Sequence, residues 1–296
     1  MTLGPLAASD DIEKITQNIL TGSKAYGVFP TPVDKIVAYS ELTISQGVDL
    51  GQVEPSFFDA SRHFFGKVTR KVLGIIDFKE KTIYLDHTQK TPRKNFIKLH
   101  EVGHGVMPWQ KKLLGCKDDE ETILPDECKV ELEREASFFA SASLFQLDRF
   151  NEEAAKLPLS IRSARALGQK FGGSVQATLR RYVERSPKRC ALLVFHKTEK
   201  TGPFPAKVRN YFESQAFTKA FGGLTWPDEC GHEFEFVKDI QRGRKDHDGG
   251  QIAVTTSSLE QVTLQYHFFN SSYNVFVLFF PAGEKIASRV KILSRV

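Results

Sequence analysis

"NFIKLHEVGHGVMPW" (residues 95–109) sets two histidines four apart, with Glu101 directly after the first. On a helix of 3.6 residues per turn, side chains at i and i+4 lie one above the other. His100 and His104 can therefore aim imidazole nitrogens at a single point, which is where a zinc ion could sit. The neighbouring letters predict the helix itself. Thr91 offers a hydroxyl for the N-cap and Pro92 a pre-set φ, so the start falls well before His100. Phe96, Leu99, Gly103 and Met107 recur at spacings of three and four and predict a buried face, and Pro108 predicts the end. Upstream, "VLGIIDFKEKTIYLD" reads as two short strands, 72–78 and 82–86, turning at 79–81. A strand beside a metal helix gives an extended peptide an edge to which it can add through main-chain hydrogen bonds.

Zinc needs a third protein ligand and an open position for water. The stretch "DECKVELEREASFFASASLFQL" (126–147) reads as a helix on which Glu131, Glu133 and Glu135 compete for that role. Val130, Glu133, Ser137, Ala140, Leu144 and Leu147 form a helical stripe that is apolar except at Glu133 and Ser137. A carboxylate on such a stripe is costly to bury unless paired or metal-bound, which favours Glu133. Glu131 and Glu135 are expected on the flank nearer solvent. Ser137, one turn beyond Glu133, is placed to hydrogen-bond a ligand from behind. Glu101, on the histidine helix but not needed as a ligand, is the expected general base.

"TPRKNFIKLHEVGH" (91–104) followed by "ELEREASFFASASLF" (131–145) resembles the ImmA/IrrE family of metallopeptidases. The resemblance implies His100, His104 and Glu133 as metal ligands, Glu101 as general base and zinc as the metal, with Mn2+ chemically compatible. It implies a zincin-like fold and a specific protein substrate, a helix-turn-helix repressor of stress-response or mobile-element genes. Two positions depart from the family pattern: Ser137 replaces an Asn or Asp, and "LFQ" stands where Leu-Met-Pro is usual.

Residues 166–184, "ALGQKFGGSVQATLRRYVE", read as a helix ending at Gly172 and Gly173, with Ser174 capping a second. This is a helix-turn-helix pattern. Arg180, Arg181 and Arg185 ride on the second helix, with Arg162, Arg165 and Lys170 near by. Relatives implied by the resemblance carry such a segment and act on repressors rather than read DNA, and a single unit lacks the paired recognition helices of dimeric readers. Direct DNA binding is therefore disfavoured.

The chain has 296 residues, of which 41% are hydrophobic, enough for a sizeable core and more than one domain. A net charge of +5 neither demands nor excludes an acidic partner. No apolar run is long enough for a membrane span, and "MTLGPLAASDD" lacks the basic start and apolar core of a signal peptide, so a cytoplasmic location is expected. Cys116, Cys128, Cys190 and Cys230 are widely spaced without a CxxC, which points to reduced thiols.

Residues 10–26 read as a helix entered at Asp10 and Glu13, and "TPVDKIVAYSEL" as a second. From Cys190 onward the pattern is β-like. "CALLVF", "QIAVTTSS", "VTLQYHFF" and "YNVFVLFF" read as strands, with Val262, Leu264, Tyr266 and Phe268 alternating and "NSS" at 270–272 as a hairpin turn. Residues 207–221 read as a helix and "QRGRKDHDGG" as a loop. The expected class is α+β: a zincin-like peptidase domain with a small edge sheet over 1–155, a helix-turn-helix-like segment over 156–189, and an α+β domain over 190–296. The resemblance implies a GAF-like sensor for the last. His196, His232, His247 and His267 lack ligand spacing and read as surface or core residues. Tyr84, His87 or a C-terminal histidine are candidates to stabilise the oxyanion of a peptidase. The competing function is a DNA- or protein-binding regulator with a structural or vestigial metal site. Intact Glu101 argues against it, since a structural site has no use for a base.

Overall fold

The computed structural model describes residues 6–50, 73–115, 125–196, 206–256 and 260–284. Val72 and Cys116 lie outside them. Contacts divide the chain into two units, one of residues 1–150 and 169–174, the other of 151–168 and 175–296.

The first unit is built from α1 (Ser9–Gly22), α2 (Val33–Tyr39), β1 (Thr43–Asp49), β2 (Gly74–Asp77), β3 (Thr82–Leu85), α3 (Thr91–Val106), α4 (Pro108–Gly115) and α5 (Asp126–Leu144). Its sheet runs β1-β3-β2, with β2 antiparallel and β1 parallel to the central β3. The hairpin matches expectation, whereas β1 does not follow from the sequence reading. "TISQGVD" carries few large apolar residues, and its place depends on pairing with β3 across a long stretch of chain. Thr91 is the first helical residue of α3 rather than its cap. Lys90 holds the cap position and makes no side-chain cap bond, so the proline in the first turn is the surviving start signal. Pro108 both ends α3 and opens α4.

The "LFQ" departure has a structural reason. Gln146 is fully buried, accepts from the Gly27 amide (2.7 Å), and donates to the Val28 carbonyl (2.8 Å) and the Thr31 hydroxyl (2.9 Å). It therefore ties residues 27–31 to the end of α5, and its own buried amide is satisfied by two backbone groups and a hydroxyl of that loop.

The second unit holds α6 (Arg149–Ala155), α7 (Ile161–Phe171), α8 (Val175–Glu184), β4 (Ala191–His196), β5 (Ala206–Glu213), α9 (Gln215–Phe221), β6 (Glu229–Cys230), α10 (Glu235–Gln241), β7 (Asp246–Thr255), β8 (Gln261–Asn270) and β9 (Asn274–Phe280), with the ends of α6 and α7 falling across the division. Its antiparallel sheet has the order β6-β5-β4-β9-β8-β7. The central β9 is buried throughout because both of its faces are covered. Leu193, Phe195, Val277 and Phe279 pack with Phe217 of α9 and Phe236 of α10. On the opposite face α8 lies over β4 and β5.

Two expectations are corrected here. Residues 206–213 form β5 rather than the start of a helix, because they pair with β4 from Ala191 to Phe195. The helix begins only after Ser214, whose hydroxyl accepts from the Phe217 amide (3.1 Å). Likewise 246–250 belong to β7, with a bulge between His247 and Gly250. The predicted alternation in β8 and the turn after Asn270 are present. Among the described residues no helix is long and apolar enough to cross a membrane.

Candidate metal centre

α3 and α5 cross where Gly103 meets Ala136. A Cβ on Gly103 would stand 3.3 Å from the Ala136 Cα and 3.1 Å from the Phe139 ring. The missing side chain lets the two backbones approach, and that approach brings Glu133 to the histidines. His100 Nε2 lies 3.2 Å from Glu133 Oε2, and His104 Nε2 lies 3.4 Å from Glu133 Oε1. The two Nε2 atoms are 3.1 Å apart. All three donor groups fit within 4.8 Å of one another, so His100, His104 and Glu133 can hold a metal ion. Gly103→Leu is expected to cost about 1–3 kcal/mol of stability through overpacking. It should also weaken metal binding by pushing Glu133 away. Thermal melting and a chelator competition would measure the two effects.

The electrostatics suit a cation. Burial works to raise the Glu133 pKa, but hydrogen bonds to His100 and His104 and their charge override it and hold the carboxyl at about 2. Burial pulls the His104 pKa down, yet the Glu133 hydrogen bond and the charges of Glu101 and Glu133 leave it raised. Carboxylates that favour a proton on that ring also favour a metal there.

Glu101 lies beside the three without joining them. It is 6% exposed, and its pKa is raised chiefly by burial, with the two histidines pulling it down and Glu133 pushing it up. The carboxylate accepts a hydrogen bond from the backbone of Ile76 on β2. Gly74 allows this proximity, since a methyl there would collide with Ile97 and with the Glu101 carboxylate. β2, an edge strand among the described residues, and a buried base thus share one wall of the site.

Ser137 stands 3.3 Å from His100 Nδ1, where it was expected. Glu131, half-exposed, pairs with Arg134 on its own helix. Glu135 is the correction. It is 7% exposed rather than solvated, and accepts from Trp109 Nε1 (2.7 Å) and Gln110 Nε2 (2.6 Å). The buried stripe of α5 runs through Leu132, Glu135, Ala136, Phe139 and Ser143, and Glu133 sits half-buried beside it. The predicted stripe is buried at Ala140 and Leu144 and half-buried at Glu133 and Ser137, where it turns to the histidines, and the buried face is wider than predicted because it also takes in Glu135. Reading 132, 136, 139 and 143 as the apolar row would have placed Glu135 inside. Gln110, fully buried with its Oε1 2.6 Å from His104 Nδ1, was not anticipated. A polar residue just after a helix-breaking proline gave no hint of it.

His87 lines a cavity of about 290 Å³ with Asp34, Gln46, Lys94 and Lys98, a lining that includes none of the three clustered residues. Tyr84 is half-buried on β3, opposite Ile75. His232, His247 and His267 belong to the second unit.

Residues 56–182 match the Peptidase_M78 family model, described as an IrrE N-terminal-like domain. That stretch is similar to an IrrE N-terminal-like domain. The matched stretch contains all of α3 and α5, and so His100, Glu101, His104 and Glu133. No curated protein matches the sequence. Among solved structures, a Mycobacterium tuberculosis transcriptional regulator is similar in fold over 97% of this chain and 81% of its own, with a TM-score of 0.54 at 12% identity. The resemblance seen in the HExxH and Glu133 segments is thus matched by the family model, and the α+β class by the structure.

Proposed function

We propose that the IrrE-like domain is a zinc-dependent endopeptidase with a narrow protein substrate. The observation that carries this reading is Glu101, a buried carboxylate beside three clustered metal-ligand side chains and not one of them. A zinc ion held by His100, His104 and Glu133 would polarise water and a substrate carbonyl. Glu101 takes the proton of the attacking water and delivers it to the leaving amine, a role its raised pKa suits. Among the described residues β2 is an edge of the sheet, and its outer main-chain groups suit an extended substrate. The substrate class, a helix-turn-helix repressor, rests on the family resemblance alone. The sheet and flanking helices of the second unit suit a sensor role of the GAF-like kind. Elemental analysis should find one divalent ion per chain. Incubation with a repressor encoded beside it should give metal-dependent cleavage. Protein that neither contains nor takes up stoichiometric metal would overturn the reading.

The rival reading, direct contact with DNA, is weakened by the surroundings of α8. Thr178, Leu179, Tyr182 and Val183 are buried, Arg180 pairs with Glu184 (3.0 Å) and lies over the Phe212 ring, and Arg162 pairs with Asp248 (3.2 Å). Changing Arg180 and Arg181 to alanine is expected to leave metal content unchanged. The wild type should show no selective, saturable gel shift at physiological salt. A sequence-selective shift that falls steeply with salt would make direct DNA reading the leading function.

A further inference from the structure

His104 and His100 present the same atom to the same point, but they are held from behind by different chemistry. His100 Nδ1 faces a hydroxyl, Ser137 Oγ, which can donate or accept. His104 Nδ1 faces an amide side chain whose orientation is dictated. Gln110 Nε2 donates to the Glu135 carboxylate (2.6 Å) and to the Leu132 carbonyl (3.0 Å), two groups that only accept. The NH2 end must therefore point at them, and the oxygen, 2.6 Å from His104 Nδ1, is left facing the ring. Glu135 is itself fixed from a second side by the Trp109 indole N–H (2.7 Å).

We propose that Gln110 is the positioning residue that locks His104 as the Nδ1–H tautomer, with Glu135 and Trp109 holding the Gln110 amide in the required sense. Nε2 also faces an acceptor, Glu133 Oε1, at 3.4 Å, but the Gln110 oxygen is much closer at 2.6 Å, so the neutral ring carries its hydrogen on Nδ1 and its lone pair on Nε2, aimed at the point shared with His100 and Glu133. The buried negative charge of Glu135 polarises the amide and, through it, the ring, which strengthens Nε2 as a donor to a cation. A network that merely filled space would need no fixed direction of donors. Here the indole and the amide can only donate to the carboxylate and the Leu132 carbonyl, which fixes the amide oxygen towards the ring as its nearest acceptor. The site is thus asymmetric, with one ligand pre-set and the other free to choose its tautomer.

The inference rests on the metal-site reading above, and the test separates the two. Nitrogen NMR of the histidine side chains in metal-free wild type, at an alkaline pH where the ring is neutral, should show His104 protonated on Nδ1. Zinc alone, titrated against a competing chelator, should bind Gln110→Leu about 10–100-fold more weakly than wild type. The tautomers of His104 should mix in that variant. The exchanged pair Gln110→Glu with Glu135→Gln again places an acceptor at His104 Nδ1, and should recover most of the affinity. Wild type that binds no zinc would sink the metal-site reading. Wild type that binds zinc but carries its His104 proton on Nε2 would sink the positioning role alone. So would a folded Gln110→Leu with unchanged affinity and tautomer. The wild-type spectrum decides the matter even if Gln110→Leu fails to fold.

Discussion

Glu101→Gln is expected to keep its metal and to lose about 10²–10⁴-fold in kcat/KM on the protein substrate, the usual worth of a positioned general base. The amide fills the same buried volume beside Gly74 and Ile97, so the packing of α3 on β2 survives. It cannot take a proton from water. The variant should also be at least as stable as wild type in the metal-free state at neutral pH, because burial has raised the Glu101 pKa above its ordinary 4.5. Above the raised value the folded protein carries the cost of a buried charge that glutamine lacks. The advantage of the variant should shrink as pH falls through the raised value, and should vanish below 4.5, where the acid is protonated both folded and unfolded. Metal content, cleavage rate and melting temperature over pH measure all three. Full cleavage by a metal-loaded Glu101→Gln would remove Glu101 from the mechanism.

The residues legible in the sequence are those whose chemistry is local. His100, Glu101 and His104 follow from one helical turn, and the hairpin of β2 and β3 from its own apolar runs. The alternation of Leu264, Tyr266 and Phe268 reads directly as a strand with one face on the core. What escaped depends on partners far along the chain. β1 exists because β3 lies beside it, and β5 because β4 pairs with it, although "AKVRNYFE" by itself also fits a helix. Gln146 reads as an irregular letter until the loop at 27–31 folds back on it. Glu135 and Gln110 escaped for the same reason. A buried polar pair is visible only when both halves are seen, and they come from different helices. Glu133 follows from its stripe, which is buried at Ala140 and Leu144 and half-buried at Glu133, and the resemblance points to the same residue.

The three glutamates of α5 should separate cleanly when each is changed to alanine. Glu133→Ala removes the carboxylate that lies within 3.4 Å of both Nε2 atoms and is ionised down to about pH 2. Two imidazoles alone should hold zinc more than about 100-fold more weakly, a larger loss than an outer hydrogen-bond partner causes. Glu131→Ala breaks only a half-exposed pair with Arg134 and should change both stability and metal affinity little, within about 0.5 kcal/mol. Glu135→Ala falls between them for a different reason. It leaves the Trp109 indole N–H without its acceptor and takes one of the two acceptors of the Gln110 amide, which should cost about 1–3 kcal/mol of folding stability. With Gln110 free to turn, the metal should be held more weakly, but less so than in Glu133→Ala. The diagnostic is which property moves: metal affinity for Glu133, melting temperature first for Glu135, neither for Glu131. Loss of zinc in Glu131→Ala or Glu135→Ala, with zinc retained in Glu133→Ala, would assign the third ligand elsewhere on this helix.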